Sequence, residues 1–119
     1  MHERMTLLLN SGVISPNAHL GAMTAIKTLN DEWALCTDNE QFQMAMTHLA
    51  RAIDRISDNE AIKDGLDPTV MDEIISDAAF PEIIEMNEKI CRGAGLVEVP
   101  VTEDSFFICN LFSLYLASH

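Results

Sequence analysis

Apolar residues recur every three or four positions along most of this chain, which is the spacing of one face of an α-helix. The clearest case is the segment 41–56, whose apolar face consists of Phe42, Ala45, Met46, Leu49, Ile53 and Ile56. The one β-prone stretch, residues 96–101, has no obvious partner strand and is predicted to be an extended loop. The pattern therefore predicts an all-α protein.

Helix starts are marked by N-cap residues, and in two cases proline follows in the first turn. The four predicted caps are Ser15 (followed by Pro16), Asp38 (with Gln41 completing a capping box), Asp67 (followed by Pro68) and Thr102. Together with the periodicity they predict helices at about 2–9, 16–35, 39–56, 68–77, 81–92 and 103–117. The expected fold is a compact bundle of five principal helices plus the short helix 68–77.

Length and charge narrow the class of protein. A chain of 119 residues without a linker-like or repetitive segment predicts one domain spanning residues 1–119. Nineteen acidic residues against seven basic ones give a net charge of −12. Because binding to phosphate backbones and anionic membrane surfaces requires Lys and Arg, we expect neither direct nucleic-acid binding nor membrane association.

Cysteines and the chain start favour a cytoplasmic protein. Cys36, Cys91 and Cys109 are odd in number and far apart, which suits reduced core thiols. The N-terminal segment carries Glu3 and only three consecutive leucines, so it does not resemble a signal peptide. The uncharged stretch 106–117 is shorter than the ~20 residues that cross a bilayer.

No motif for catalysis or metal binding is present. The sequence lacks H-x-x-x-H, H-E-x-x-H, C-x-x-C, G-x-S-x-G and P-loop patterns. We therefore expect no metal, no cofactor and no enzymatic activity.

His48 is the candidate for chemistry, because scarce basic residues cluster around it. On a helical wheel it lies at the border of the apolar face, with Arg55 within about 20° two turns later and Arg51 one turn later. A neutral imidazole can accept a phosphoryl group, and arginine binds phosphoryl oxygens in a forked, charge-assisted way. The same pattern is also typical of a border histidine with two solvated arginines, and spacing alone favours this second interpretation.

The run His48-Leu49-Ala50-Arg51-Ala52-Ile53-Asp54-Arg55 resembles the first histidine motif of the PTS regulation domain (PRD), a helical phosphorylation module of sugar-responsive bacterial regulators. That motif is an H-(I/L)-x-x-A-I-x-R pattern, in which His48 and Arg55 match the phosphorylated histidine and its arginine. Phe80-Pro81 with the helix after it, and Thr102-Glu103-Asp104 with residues 106–116, resemble later parts of the domain. The resemblance spans about residues 3–117 and implies the same helical bundle.

Two departures from the family limit what the resemblance implies. Phe112 stands at or near the position of the family's second phosphorylated histidine, which leaves a single site. The chain also carries no attached RNA- or DNA-binding domain, so it resembles the short stand-alone versions of the module.

By this resemblance, the chain is expected to be a regulatory module of the bacterial sugar phosphotransferase system, active in transcription regulation. His48 would be phosphorylated by a phosphocarrier protein or a sugar-permease subunit, with Arg55 and Arg51 stabilising the phosphate. A homodimer and an output through another protein are expected. The alternative is an acidic helical adaptor that kept the fold, lost the chemistry and is not phosphorylated.

Overall fold

A computed structural model describes residues 2–35 and 39–118 of the chain. It contains six α-helices and, within the described residues, no strand. They are α1 (His2–Asn10), α2 (Pro16–Trp33), α3 (Glu40–Ser57), α4 (Pro68–Ile75), α5 (Phe80–Gly93) and α6 (Val101–Ser118). The all-α prediction is confirmed. The helix count differs slightly, because α1 has 9 residues and is hardly longer than the 8-residue α4, so four helices rather than five are long.

Two of the four predicted helix caps are present as expected. The side chain of Ser15 accepts a hydrogen bond from the backbone N–H of Ala18, and that of Asp67 accepts one from the N–H of Thr69. Each satisfies a backbone donor that a helix start would otherwise leave unpaired.

The other two caps differ. Asn39 caps α3 by accepting from the N–H groups of Gln41 and Phe42, whereas the predicted cap Asp38 lies outside the described residues. The prediction of Thr102 as the cap of α6 is wrong, because α6 begins at Val101. The Thr102 hydroxyl instead donates to the carbonyl oxygen of Ile62, so this side chain fixes a remote loop rather than its own helix.

α3 packs against α2 and α6, and α5 packs against both of those helices. The predicted apolar face of α3 is buried, with Ile56 partly buried at its end. Gly21 permits the close approach of α2 to Ile53 on α3 and to Ala94, since a Cβ at this position would lie 2.8 Å from Ile53 Cδ1 and 3.2 Å from Ala94 Cβ. The segment 96–100 is a loop as predicted, and residue 101 belongs to α6.

A part-buried polar contact joins α3 to the start of α2. The Asp54 carboxylate accepts a hydrogen bond from the Ser15 backbone N–H at 2.9 Å and another from the Ser15 hydroxyl. The Ser15 side chain therefore caps α2 and ties it to α3.

Of the helices in the described part of the chain, none is both long and apolar enough to cross a membrane. Cys91 and Cys109 are free thiols, buried and half-buried respectively, which agrees with the prediction of reduced core thiols. Cys36 lies outside the described residues. Burial, with a contribution from the Asp104 carboxylate, raises the pKa of Cys91 to about 12.

Candidate functional site

His48 is exposed on α3 at the edge of the buried face. It lies in an open cleft of about 300 Å³ between α3, α6 and the loop before α4. The other residues that line this cleft are Ala52, Arg55, Ile62, Glu103, Phe106, Phe107 and Asn110. The imidazole forms no hydrogen bond with any residue that the structure describes.

The cleft exists because α3 and α6 run antiparallel. Arg55, near the end of α3, meets Glu103 in the first turn of α6, while His48, two turns earlier on α3, shares the cleft with Asn110. Phe106 forms part of the wall and is 37% exposed. The structure thus brings His48 and Arg55 together in one cleft, as the wheel predicts.

Arg55 is already paired. Its Nε donates to Glu103 Oε2 at 2.8 Å and its Nη2 donates to Oε1 at 2.9 Å, which is a two-point ion pair between guanidinium and carboxylate. The Glu103 side chain is 1% exposed and that of Arg55 is 35% exposed. The hydrogen bond to Glu103 raises the pKa of Arg55, so the guanidinium stays charged.

Three features make the buried carboxylate of Glu103 tolerable. It is paired with Arg55, it lies in the first turn of α6 where the helix dipole favours negative charge, and it accepts from the Ile62 N–H at 3.4 Å. A buried charge without such partners would be strongly unfavourable.

The first turn of α6 also holds the loop between α3 and α4. Besides the contact of Thr102 with Ile62, the Ser105 hydroxyl accepts from the Leu66 N–H at 2.9 Å. Glu103 therefore connects the helix that carries His48, the start of α6 and this loop.

Arg51, the other predicted phosphate-stabilising residue, does not line the cleft. It is exposed and makes no ion pair or side-chain hydrogen bond with the described residues. The two arginines therefore differ in kind: Arg55 is held by Glu103 in the cleft that His48 lines, and Arg51 is an exposed cation on the solvent side of α3.

Phe112, at or near the position of the family's second histidine, and His19, another histidine of the chain, lie outside the cleft. Phe112 is half-buried and packs against the hydrophobic core. His19 is half-buried on α2. No group of three His, Cys, Asp or Glu side chains within residues 2–35 and 39–118 could hold a metal ion.

Glu103 is the site residue that the sequence analysis missed. Its position in the first turn of a predicted helix indicates only a favourable interaction with the helix dipole, which an exposed glutamate would make equally well. The available signal was the Arg55 side chain at the border of a buried face, which needs an acidic partner when packed. Choosing that partner among nineteen acidic residues requires the tertiary structure.

Comparison with curated proteins finds a relative along the whole length of the chain. Over 119 residues the chain is 29% identical to a protein of Escherichia coli (strain K12) named "Uncharacterized protein YhfY", with 100% of this chain and 98% of that protein covered. No protein-family model matches the chain, and no solved structure matches it. The function of the cleft must therefore be inferred from its residues.

Proposed function

We propose that this protein is a regulatory module of the bacterial sugar phosphotransferase system, phosphorylated on His48. In this proposal a phosphocarrier protein or a sugar-permease subunit donates the phosphoryl group. The phosphorylated module then signals through contacts with another protein or a second copy of itself in the cytoplasm. The resemblance of residues 48–55 to the PRD motif supplies the class of function.

The observation that carries the proposal is the position of His48 beside Arg55. An exposed imidazole without a hydrogen-bond partner among the described residues shares an open cleft with a guanidinium. A histidine with only a packing role would be expected to bury its ring or to satisfy its nitrogens. This arrangement instead leaves a nucleophile accessible next to a cation suited to phosphoryl oxygens.

A second candidate function is a non-phosphorylated adaptor. Two observations favour it: Phe112 occupies the region of the expected second histidine and packs against the core, and Arg55 is engaged by Glu103. In such a protein the Arg55–Glu103 pair would only join α3 to α6, and His48 would be an ordinary surface residue.

Incubation with a phosphorylated phosphocarrier protein separates the two candidates. The product is analysed by mass spectrometry under alkaline conditions, because phosphohistidine is acid-labile. We expect one phosphoryl group on the wild type and none on His48→Ala. His19→Ala is the matched control, because it removes a half-buried histidine from α2 and should label normally.

Two results would count against the proposal. Equal labelling of wild type and His48→Ala would disprove the site. Failure of the wild type to accept a phosphoryl group from either class of donor would favour the adaptor.

A further inference from the structure

We propose that Glu103 is a positioning residue that orients Arg55 so that one edge of its guanidinium is presented to a phosphoryl group on His48. The inference rests on the proposed phosphorylation of His48 and adds a residue that the family motif in α3 does not contain. In this proposal the pairing of Arg55 with Glu103 is part of the phosphate-binding site rather than an argument against phosphorylation.

The argument begins with the donors of the guanidinium. Arginine has five N–H donors in a rigid plane. Glu103 accepts from Nε and Nη2, which occupies one edge and uses two donors. Both protons of Nη1 and the second proton of Nη2 have no partner among the described residues. This second edge suits bidentate contact with two phosphoryl oxygens.

The reach of the two side chains is compatible with contact. Seven residues separate His48 from Arg55, a rise of about 10.5 Å along α3. Helical side chains lean toward the helix N-terminus, which brings the Arg55 side chain over the turn that separates it from His48. A phosphoryl group on the imidazole would extend into the cleft that both residues line.

Glu103 matters because it fixes this geometry before phosphorylation. A free arginine on a surface must lose rotamer freedom when it binds an anion, whereas a guanidinium held at two points has already lost it. Arg51 illustrates the contrast, since it is exposed and held by none of the described residues. The carboxylate that holds it is itself buried, with a side chain that is 1% exposed.

The reaction step assigns a role to each group. The lone pair of an imidazole nitrogen of His48 forms the new N–P bond while the bond from phosphorus to the donor breaks. The donor's nitrogen or sulfur keeps that bond's electron pair and takes up a proton, and the His48 ring releases its N–H proton to solvent. The Nη1–Nη2 edge of Arg55 donates hydrogen bonds to the phosphoryl oxygens during transfer, and Glu103 touches only Arg55.

The test uses potassium phosphoramidate, a small reagent that phosphorylates exposed histidines without any partner protein. Its phosphorus–nitrogen bond breaks and releases ammonia as the imidazole nitrogen attacks. Site-resolved mass spectrometry gives the labelling rate at His48 relative to the other histidines of the same molecule. We expect this relative rate to fall about ten-fold in Glu103→Gln and in Arg55→Gln, equivalent to about 1.4 kcal/mol.

Matched variants isolate the positioning role. Arg51→Gln removes a cation from the same helix and should leave the relative rate within about two-fold of the wild type. The double variant Arg55→Gln/Glu103→Gln should be no slower than Arg55→Gln alone, because Glu103 acts only through Arg55. If a glutamine variant does not fold, Glu103→Asp, which keeps the charge, or Arg55→Lys, which keeps a cation, replaces it in the same comparison of labelling rates.

Several results would overturn the inference. An unchanged His48 rate in a folded Glu103→Gln variant would leave Glu103 a purely structural role. Additive losses in the double variant would mean that Glu103 does not act through Arg55, and absence of labelling at His48 in the wild type would show that the ring is not available. Because no carrier protein takes part, labelling by phosphoramidate without labelling by a carrier would reject the proposed function alone.

Discussion

Replacement of Arg55 by methionine should destabilise the fold far more than the same replacement at Arg51. Methionine keeps a long unbranched side chain with high helix propensity, so the substitution mainly removes the cation. The Glu103 carboxylate would lose two hydrogen bonds and keep only the 3.4 Å contact with the Ile62 N–H.

The magnitude follows from burial. Removing one partner of a fully buried ion pair costs about 3–5 kcal/mol. The Arg55 side chain is 35% exposed, so water can partly replace it, and we reduce the expectation to about 2–3 kcal/mol. For 119 residues the unfolding entropy near the midpoint is about 250 cal/mol/K, so the melting temperature should fall by about 10 °C.

Thermal and urea unfolding followed by circular dichroism measure this difference. Arg51→Met should change the free energy of unfolding by no more than about 0.5 kcal/mol, as expected for an exposed residue outside any network. Adding Glu103→Gln to Arg55→Met should recover part of the loss, since a neutral amide costs less to bury. Equal stabilities of the two methionine variants would refute the reasoning that Glu103 depends on Arg55.

Two further predictions concern the core and the capping of α2. Native Cys91 should resist iodoacetamide at pH 8 and react only after unfolding in urea, because burial raises its thiol pKa to about 12. That pKa lies above the unfolded value of about 9, so the stabilisation by the neutral thiol is complete below pH 9 and is lost as pH rises toward 12. The free energy of unfolding of Cys91→Ala should therefore fall less than that of the wild type between pH 9 and 11. Equal slopes of unfolding free energy against pH for the two proteins would contradict this. Ser15→Ala removes the cap of α2 and a hydrogen bond to Asp54, so urea unfolding should show a loss of about 1–2 kcal/mol, whereas Ser11→Ala, at an exposed position, should stay within about 0.5 kcal/mol.

Local sequence signals predicted the helices well. The apolar face of α3 and the caps Ser15 and Asp67 depend on residues within one or two turns, which a single sequence displays. The border position of His48 follows from the same periodicity, and the structure exposes it. Where neighbouring residues gave competing local signals, the helix start differs from the predicted one: Asn39 caps α3, and α6 begins before Thr102.

The sequence by itself therefore determined an all-α chain with an imidazole and Arg55 along one border of a helix and Arg51 nearby, because that arrangement depends only on the rise and rotation of α3. Tertiary structure decided which arginine shares the cleft with His48 and what holds it. The Arg55–Glu103 pair joins residues 48 positions apart, and the Ser15–Asp54 contact joins residues 39 apart. Such contacts depend on how whole helices pack, and no local pattern distinguishes Glu103 from the other acidic residues before α6 is placed against α3.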